Sequence, residues 1–312
     1  MNIRTVAIIG ANGQLGADLM HELNVRQEAN TKQAVRFRVI PLTHNEFELC
    51  NHTEAREKLV FLRPDVVINT AAYHRVDECE DHPEKTCQVN AIAVRNLAYI
   101  CRDLDIELLH ISTNYVFGNR NGQKSPYKEN DLPCPLNVYG ASKLIGEYFV
   151  RSICPKHFIV RSSGLYGLVG CRSKGSNFVE LMLSLAQERK PIRVVNDQWL
   201  APTYTPDLAR TLIELIIHGQ YGIYHFTNAN SCTWYEFAMR IFSYAHLTPQ
   251  LLPITTEAYG ARARRPHYAT LSCAQSLAKI GIGSLRTWQD ALKSYMDARG
   301  NRDKIGTNGT LR

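Results

Sequence analysis

Short, unbroken apolar runs alternate with stretches of mixed polarity through the first half of the 312-residue chain. Five runs read as strands: Thr5–Gly10, Arg36–Pro41, Asp65–Thr70, Ile106–Thr113 and His157–Arg161. Runs apolar at successive positions suit strands covered on both faces, which is the habit of parallel sheets. Between them, helical patterns begin near Gln14, Glu54, Asn90 and Tyr139. Residues 24–35 are polar and read as an extended helix end or loop. The alternation predicts an α/β fold with a doubly wound parallel sheet.

After Arg161 the rhythm loosens. Residues 163–176 are rich in Gly and Ser, the composition of a mobile flap beside a site. Thr205-Pro206 predicts an N-cap and a proline at the first helical position, opening a helix to His218 with Gly219 behind it. Thr233 and Glu236 have capping-box spacing, and Thr287 with Asp290 opens the last helix. The pattern divides the chain into a dinucleotide-binding domain, 1–160, and a smaller substrate-binding lobe, 161–300, some of whose segments return to the first. The Gly/Asn/Thr-rich stretch from Asn301 to Arg312 reads as a disordered tail.

Composition narrows the function classes. Nine cysteines lie scattered with no C-x-x-C spacing, against a disulfide framework or zinc site and in favour of a reducing cytoplasm. No apolar stretch approaches the roughly 18 residues of a membrane span, and no secretory leader pattern precedes the first strand. The net charge of +7 is dispersed apart from Arg262, Arg264, Arg265 and the tail, so an anionic small molecule fits better than nucleic acid. No metal site is expected.

Gly10-x-x-Gly13-x-x-Gly16 directly follows the first strand. Gly10 permits the turn, Gly13 a close approach of backbone N–H groups to a pyrophosphate, and Gly16 tight packing of the next helix on the sheet. Asn12, Gln14 and Leu15 complete that cofactor turn. At the end of the second strand Thr43 and His44 stand where an NAD-type fingerprint wants an acid, which favours NADPH with NADH compatible. Asn69, Ala71 and Ala72 end the third strand, where small residues let backbone pass beneath a cofactor.

Tyr139 and Lys143, four apart, share one helix face. An ammonium beside a phenol favours the phenolate, so the lysine is expected to lower the pKa of Tyr139 while also holding the nicotinamide ribose. Thr113, with Ser112 beside it, ends a strand at the carboxyl edge of the sheet and can hydrogen-bond a substrate oxygen. The set suits hydride transfer to a carbonyl carbon with Tyr139 protonating the oxygen. A Tyr-x-x-x-Lys alone is more often a surface helix turn; the glycines and strand-end hydroxyls raise it above that.

Four segments carry a family resemblance: Gly10-Ala-Asn-Gly-Gln-Leu-Gly16, Asn69 to Asp77, Ser112 to Phe117, and Pro135 to Glu147. With Asn177-Phe178, Asp197-Gln198, Ala201-Pro202-Thr203, Arg265-Pro266 and Gly281-Ile-Gly, the chain resembles the dTDP-4-dehydrorhamnose reductases, extended short-chain dehydrogenases with a Rossmann-type sheet. The resemblance implies NAD(P)H-dependent reduction of the C4 ketone of a nucleotide-linked deoxysugar, dTDP-4-dehydro-L-rhamnose, in dTDP-rhamnose biosynthesis. It implies Thr113, Tyr139 and Lys143 as the catalytic set, and Val76, Asp77, Asn114, Asn177 and Arg265 as substrate residues. A homodimer is compatible with it. Two positions depart from the family: Asn114 stands where aspartate is usual, and Gly164 where tryptophan is. Trp199 is a candidate replacement ring and equally a packed loop aromatic. His74 reads as a wall residue, and Trp234 and Phe237 as core. The regulatory beta subunit of methionine adenosyltransferase and the nucleotide-sugar epimerases and dehydratases are similar enough to stand as alternatives.

Overall fold

The computed structural model describes residues 2–28, 35–118, 122–170 and 175–308. Six parallel strands form the central sheet: β1 Asn2–Ile9, β2 Val35–Leu42, β3 Val66–Asn69, β4 Glu107–Thr113, β5 His157–Ser162 and β6 Gly222–His225. Their spatial order is β6-β5-β4-β3-β1-β2, all neighbours parallel. The order reverses between β1 and β3, which opens a crevice at their carboxyl ends.

Alternate residues of the strands feed two separate cores. Val6 and Ile8 pack with Leu15 and Leu19 of the helix Gln14–Glu28 and with Leu208 and Leu212 of the helix Thr205–His218. Ala7, Ile9 and Val67 pack on the other face with Leu59, Leu97 and Val150. Those three come from the helices His52–Leu62, Ala93–Asp103 and Val138–Ile153. A third core, including Tyr166, Val179, Phe237, Trp288 and Tyr295, belongs to the segments after β5.

The five strands read from sequence fall within a few residues of their observed bounds. The sixth, β6, was not among them. Thr205 is not an N-cap: the helix begins at that residue, and its hydroxyl bonds Asp18 and, at 3.1 Å, the Tyr166 carbonyl. Thr233 and Glu236 do form the expected capping box. The last helix, Trp288–Asn308, runs through most of the stretch assigned to a disordered tail. Arg299 reaches Glu180 at 2.7 Å, and Arg302 the Leu168 carbonyl at 2.9 Å, which anchors the helix beyond the composition's own preference. Residues 309–312, like 29–34 of the polar stretch and 171–174 of the Gly/Ser loop, lie outside the described residues. No helix among the described residues is long and apolar enough to cross a membrane.

Candidate active site

The turn after β1 is built around two glycines. Gly10 has a positive φ of 80°, and a Cβ there would lie 2.7 Å from Thr70 Oγ1. At Gly16 a Cβ would fall 2.2 Å from the Gly10 carbonyl oxygen, so only glycine lets the helix start this close to the turn. Gly10, Asn12, Gly13, Gln14 and Leu15 line a cavity of about 840 Å³. The helix beginning at Gln14 has no acid in its first turn, leaving its N-terminal N–H groups available to an anion. His44, Ala71 and Ala72 line the same cavity.

Two of the expected cofactor residues do not. Thr43 spends its N–H and hydroxyl on Glu46 Oε2, at 3.1 and 2.7 Å, so the acid just past the strand folds back over it. Asn69 is wholly buried and bonds Ala71 N and the His110 ring. Its place is beneath the cavity floor. Asn90, unmarked in the sequence beyond lying near a helix start, pins the chain after β3 to the catalytic helix. Its amide bonds both backbone groups of Tyr73, at 2.9 and 2.8 Å, and Ser142 Oγ at 3.1 Å.

The helix Val138–Ile153 is capped by Asn137, whose Oδ1 accepts from Gly140 N at 2.8 Å. That cap sets Tyr139 in the first turn, on the cavity wall, with Lys143 one turn further in. Thr113 and Tyr139 both line the cavity, and the Thr113 hydroxyl acts to lower the phenol's pKa. Thr113 Oγ1 also accepts from Tyr115 N at 3.1 Å and lies 3.3 Å from Asn114 Oδ1. Ser112 is committed elsewhere, donating to Glu147. Of the two strand-end hydroxyls, Thr113's is the one that acts on the phenol.

The expected electrostatics of Tyr139 fail in the free protein. Burial raises the phenol well above its ordinary range, with the Thr113 hydroxyl acting in the opposite direction. Lys143 Nζ, instead of facing the phenol, donates to the Ile111 carbonyl at 2.7 Å and sits 3.1 Å from His110 Nε2. Burial pulls that lysine down to about 8, against the opposing effect of Glu147. Helical spacing puts Tyr139 and Lys143 on one face, yet the long lysine stem lets its head turn into the sheet.

The expected substrate residues divide. Val76, Asn114 and Asn177 line the cavity. Asn177 is also the cap of the helix Phe178–Gln187, accepting from Glu180 N at 3.0 Å and donating to the Gly167 carbonyl at 2.9 Å. Asp77 and Arg265 pair with each other, at 2.7 and 3.1 Å, and are not part of the wall. Asp77 also accepts from Ala263 N at 3.0 Å, so the pair clasps the segment around Arg265 rather than presenting a charge to the cavity. Arg262 is tied to Asp81. Trp199 and Gly164 both line the cavity, and Trp199 is 39% exposed. Trp234 and Phe237 line it too while packing on Phe178. His74 is a wall residue whose Nδ1 lies 3.1 Å from the Ala72 carbonyl.

A profile of the family described as RmlD substrate binding domain matches residues 4–300. The chain belongs to that family. Similarity to individual members extends over nearly the whole length. The spore coat polysaccharide biosynthesis protein SpsK of Bacillus subtilis (strain 168) is 38% identical, across 94% of this chain and 97% of that protein. The dTDP-4-keto-6-deoxy-D-glucose reductase of Streptomyces niveus is 33% identical, across 91% of this chain and 94% of that protein. A crystal structure of the dTDP-4-dehydrorhamnose reductase of Bacillus anthracis str. Ames in complex with NADP superposes with a TM-score of 0.86 at 38% identity. It covers 96% of this chain and 100% of that one.

The RmlD-family cavity in this chain has the donors a nucleotide and a sugar need. Ser162 Oγ, Ser163 Oγ and Tyr166 OH are buried without a hydrogen-bond partner among the described residues, and all three residues line it. Buried polar groups are rarely left so. Together with a glycine cradle that no side chain could share, they fit a polyhydroxylated, anionic ligand pair.

Proposed function

We propose that this chain is an NADPH-dependent reductase, also able to use NADH, of the 4-keto group of a dTDP-linked deoxysugar. The substrate we assign is dTDP-4-dehydro-L-rhamnose, giving dTDP-L-rhamnose. The observation that carries the reading is a single cavity lined both by Thr113, Tyr139 and Lys143 and by the Gly10–Gly13 turn. When bound, the reduced nicotinamide supplies the hydride. Gly10, Gly13 and the start of the helix at Gln14 would hold the pyrophosphate, and Lys143 the nicotinamide ribose. Thr113 and Tyr139 together bind the ketone oxygen. As the carbonyl carbon gains hydride, the Tyr139 phenol gives its proton to that oxygen, leaving an alcohol. Trp199, which lines the cavity as does Gly164, is the aromatic surface for the sugar nucleotide.

We read residues 1–160 as the nucleotide-binding domain and 161–300 as the sugar-binding lobe, with β6 contributed back to the first. The eight described cysteines are all free thiols, which suits a reducing cytoplasm. The assembly we expect is a homodimer, which sedimentation equilibrium tests.

Recombinant protein mixed with dTDP-4-dehydro-L-rhamnose should oxidise NADPH, and Tyr139→Phe should lose roughly 10²–10⁴-fold in rate. The relative from Streptomyces niveus is named for the D-glucose-derived ketone. Parallel assays with both sugars therefore fix the stereochemistry. No turnover with any dTDP-4-keto sugar would end the reading and leave a binding protein.

A further inference from the structure

His110 lies inside β4, wholly buried, with a functional group at each ring nitrogen. Its Nδ1 is 3.2 Å from Asn69 Nδ2, and its Nε2 is 3.1 Å from Lys143 Nζ. The direction of this chain is set at its far end. The Ala71 N–H donates to Asn69 Oδ1 at 3.1 Å, so the amide turns its Nδ2 donor toward the ring. Nδ1 must then present its lone pair, and a neutral ring carries its one proton on Nε2. Burial keeps the ring neutral.

That Nε2–H is aimed at Nζ, which itself donates to the Ile111 carbonyl at 2.7 Å. An ammonium has three donors and no lone pair, so it would set donor against donor. A neutral amine accepts from Nε2–H and donates to Ile111, satisfying both. Reversing the ring or the amide only moves the conflict to the Ala71 N–H. One backbone group thus selects the uncharged lysine.

We propose that His110 is a positioning residue that favours the neutral amine of Lys143 in the free protein. Nucleotide binding then draws Lys143 off as an ammonium, with uptake of one proton from solvent. The inference rests on the reading of Lys143 as the lysine that holds the nicotinamide ribose. The charged group that bears on Nζ is Glu147, one turn on and held by Arg161 of β5 at 2.6 Å, while Tyr139 lies one turn back on the same helix. The only bond made is N–H. The consequence is local to the reaction: on the alkaline side of its free-protein titration, the lysine is cationic beside Tyr139 only in a loaded site, so there the phenol is acidified only on loading.

Titration calorimetry of the full chain with NADP⁺, in buffers of differing ionisation enthalpy, counts the protons taken up. With Lys143 titrating at about 8 in the free protein, the count should be about half a proton near pH 8. It should fall toward none near pH 7 and rise toward one near pH 9, on the same about-8 midpoint. His110→Phe keeps the burial but loses the Nε2–H donor, so it should lower the uptake near pH 8 without abolishing it. His110→Gln, which can offer a donor and an acceptor along the same line, should retain it. A mere packing role would shift affinity or Tm and leave the count unmoved. If His110→Phe does not fold, the wild-type profile and His110→Gln still decide. A wild-type count near zero throughout overturns the proposal. Lys143→Met separates the premise: NADP⁺ affinity about tenfold weaker supports the ribose contact. Unchanged affinity removes that contact and the proposal with it.

Discussion

Asn114 shows how a single amide can be tuned to its neighbours. Its Nδ2 donates to the Ala269 carbonyl at 3.1 Å, across the cavity's edge, while its Oδ1 lies 3.3 Å from the Thr113 hydroxyl. Aspartate, the usual residue of the resembling family here, has no donor to offer Ala269 and would set a carboxylate against that carbonyl. Asn114→Asp should therefore destabilise this protein by about 1–3 kcal/mol, the cost of a buried acceptor left unpaired. Urea denaturation at neutral pH measures it. The added negative charge should also hold Tyr139 still more firmly protonated, so the rate of the variant should peak at higher pH than that of the wild type. A variant as stable as the wild type would mean that the Ala269 contact contributes nothing.

The catalytic helix is fastened to the sheet by a buried ion pair. Arg161, at the end of β5, meets Glu147 with Nε at 3.0 Å from Oε1 and Nη2 at 2.6 Å from Oε2, both side chains 2% exposed. Ser112 of β4 donates to the same carboxylate, and the guanidinium stacks 5.0 Å over the Phe117 ring. Removing one partner strands the other charge in the interior. Arg161→Met should cost about 3–5 kcal/mol, and adding Glu147→Leu should recover part of that loss. Denaturation midpoints of the two variants test the ordering. The hydrophobic rhythm made the scaffold around this pair legible, because strands covered on both faces must be apolar throughout. β6 escaped because Gly222-Ile-Tyr-His225 is four residues long and follows Gly219-Gln220-Tyr221. Its strand character comes from pairing with β5, a non-local fact. The site was legible where spacing alone dictates geometry, in the glycine turn and in the shared face of Tyr139 and Lys143. It was illegible where several elements converge. His110 is one polar letter in an apolar strand until Asn69 from β3 and Lys143 from the helix close on its two nitrogens. Arg265 and Asp77, far apart in sequence, cancel each other by folding.

Two neutral histidines inside the molecule couple its stability to pH. His225, on β6, is held down to about 3 by burial and then by the Arg161 guanidinium, against its bonds to backbone. His110 is held well below its ordinary range by burial and Lys143. In the unfolded chain both return to about 6.5. Between that value and the folded ones the unfolded state binds more protons. Stability therefore rises with pH across the window and is lost on acidification, by at most about 1.4 kcal/mol per pH unit for each ring. Asp18 opposes the trend at the acid end, because burial raises its carboxyl and the folded state then holds the extra proton. Lys143 acts in an alkaline window: lowered to about 8, it adds stability to the free protein as pH climbs from there toward its unfolded value. The urea midpoint of the free protein should thus fall steadily from neutral pH to about pH 4, as these rings are forced to charge. His225→Asn should start lower, having lost the ring's contacts with Arg161 and the Tyr127 carbonyl, yet lose less per unit of pH. Parallel slopes for the two proteins would show that His225 does not titrate on unfolding. Acid loss of the fold would then have to be traced to His110, to His157, which burial also lowers, and to the carboxylates instead.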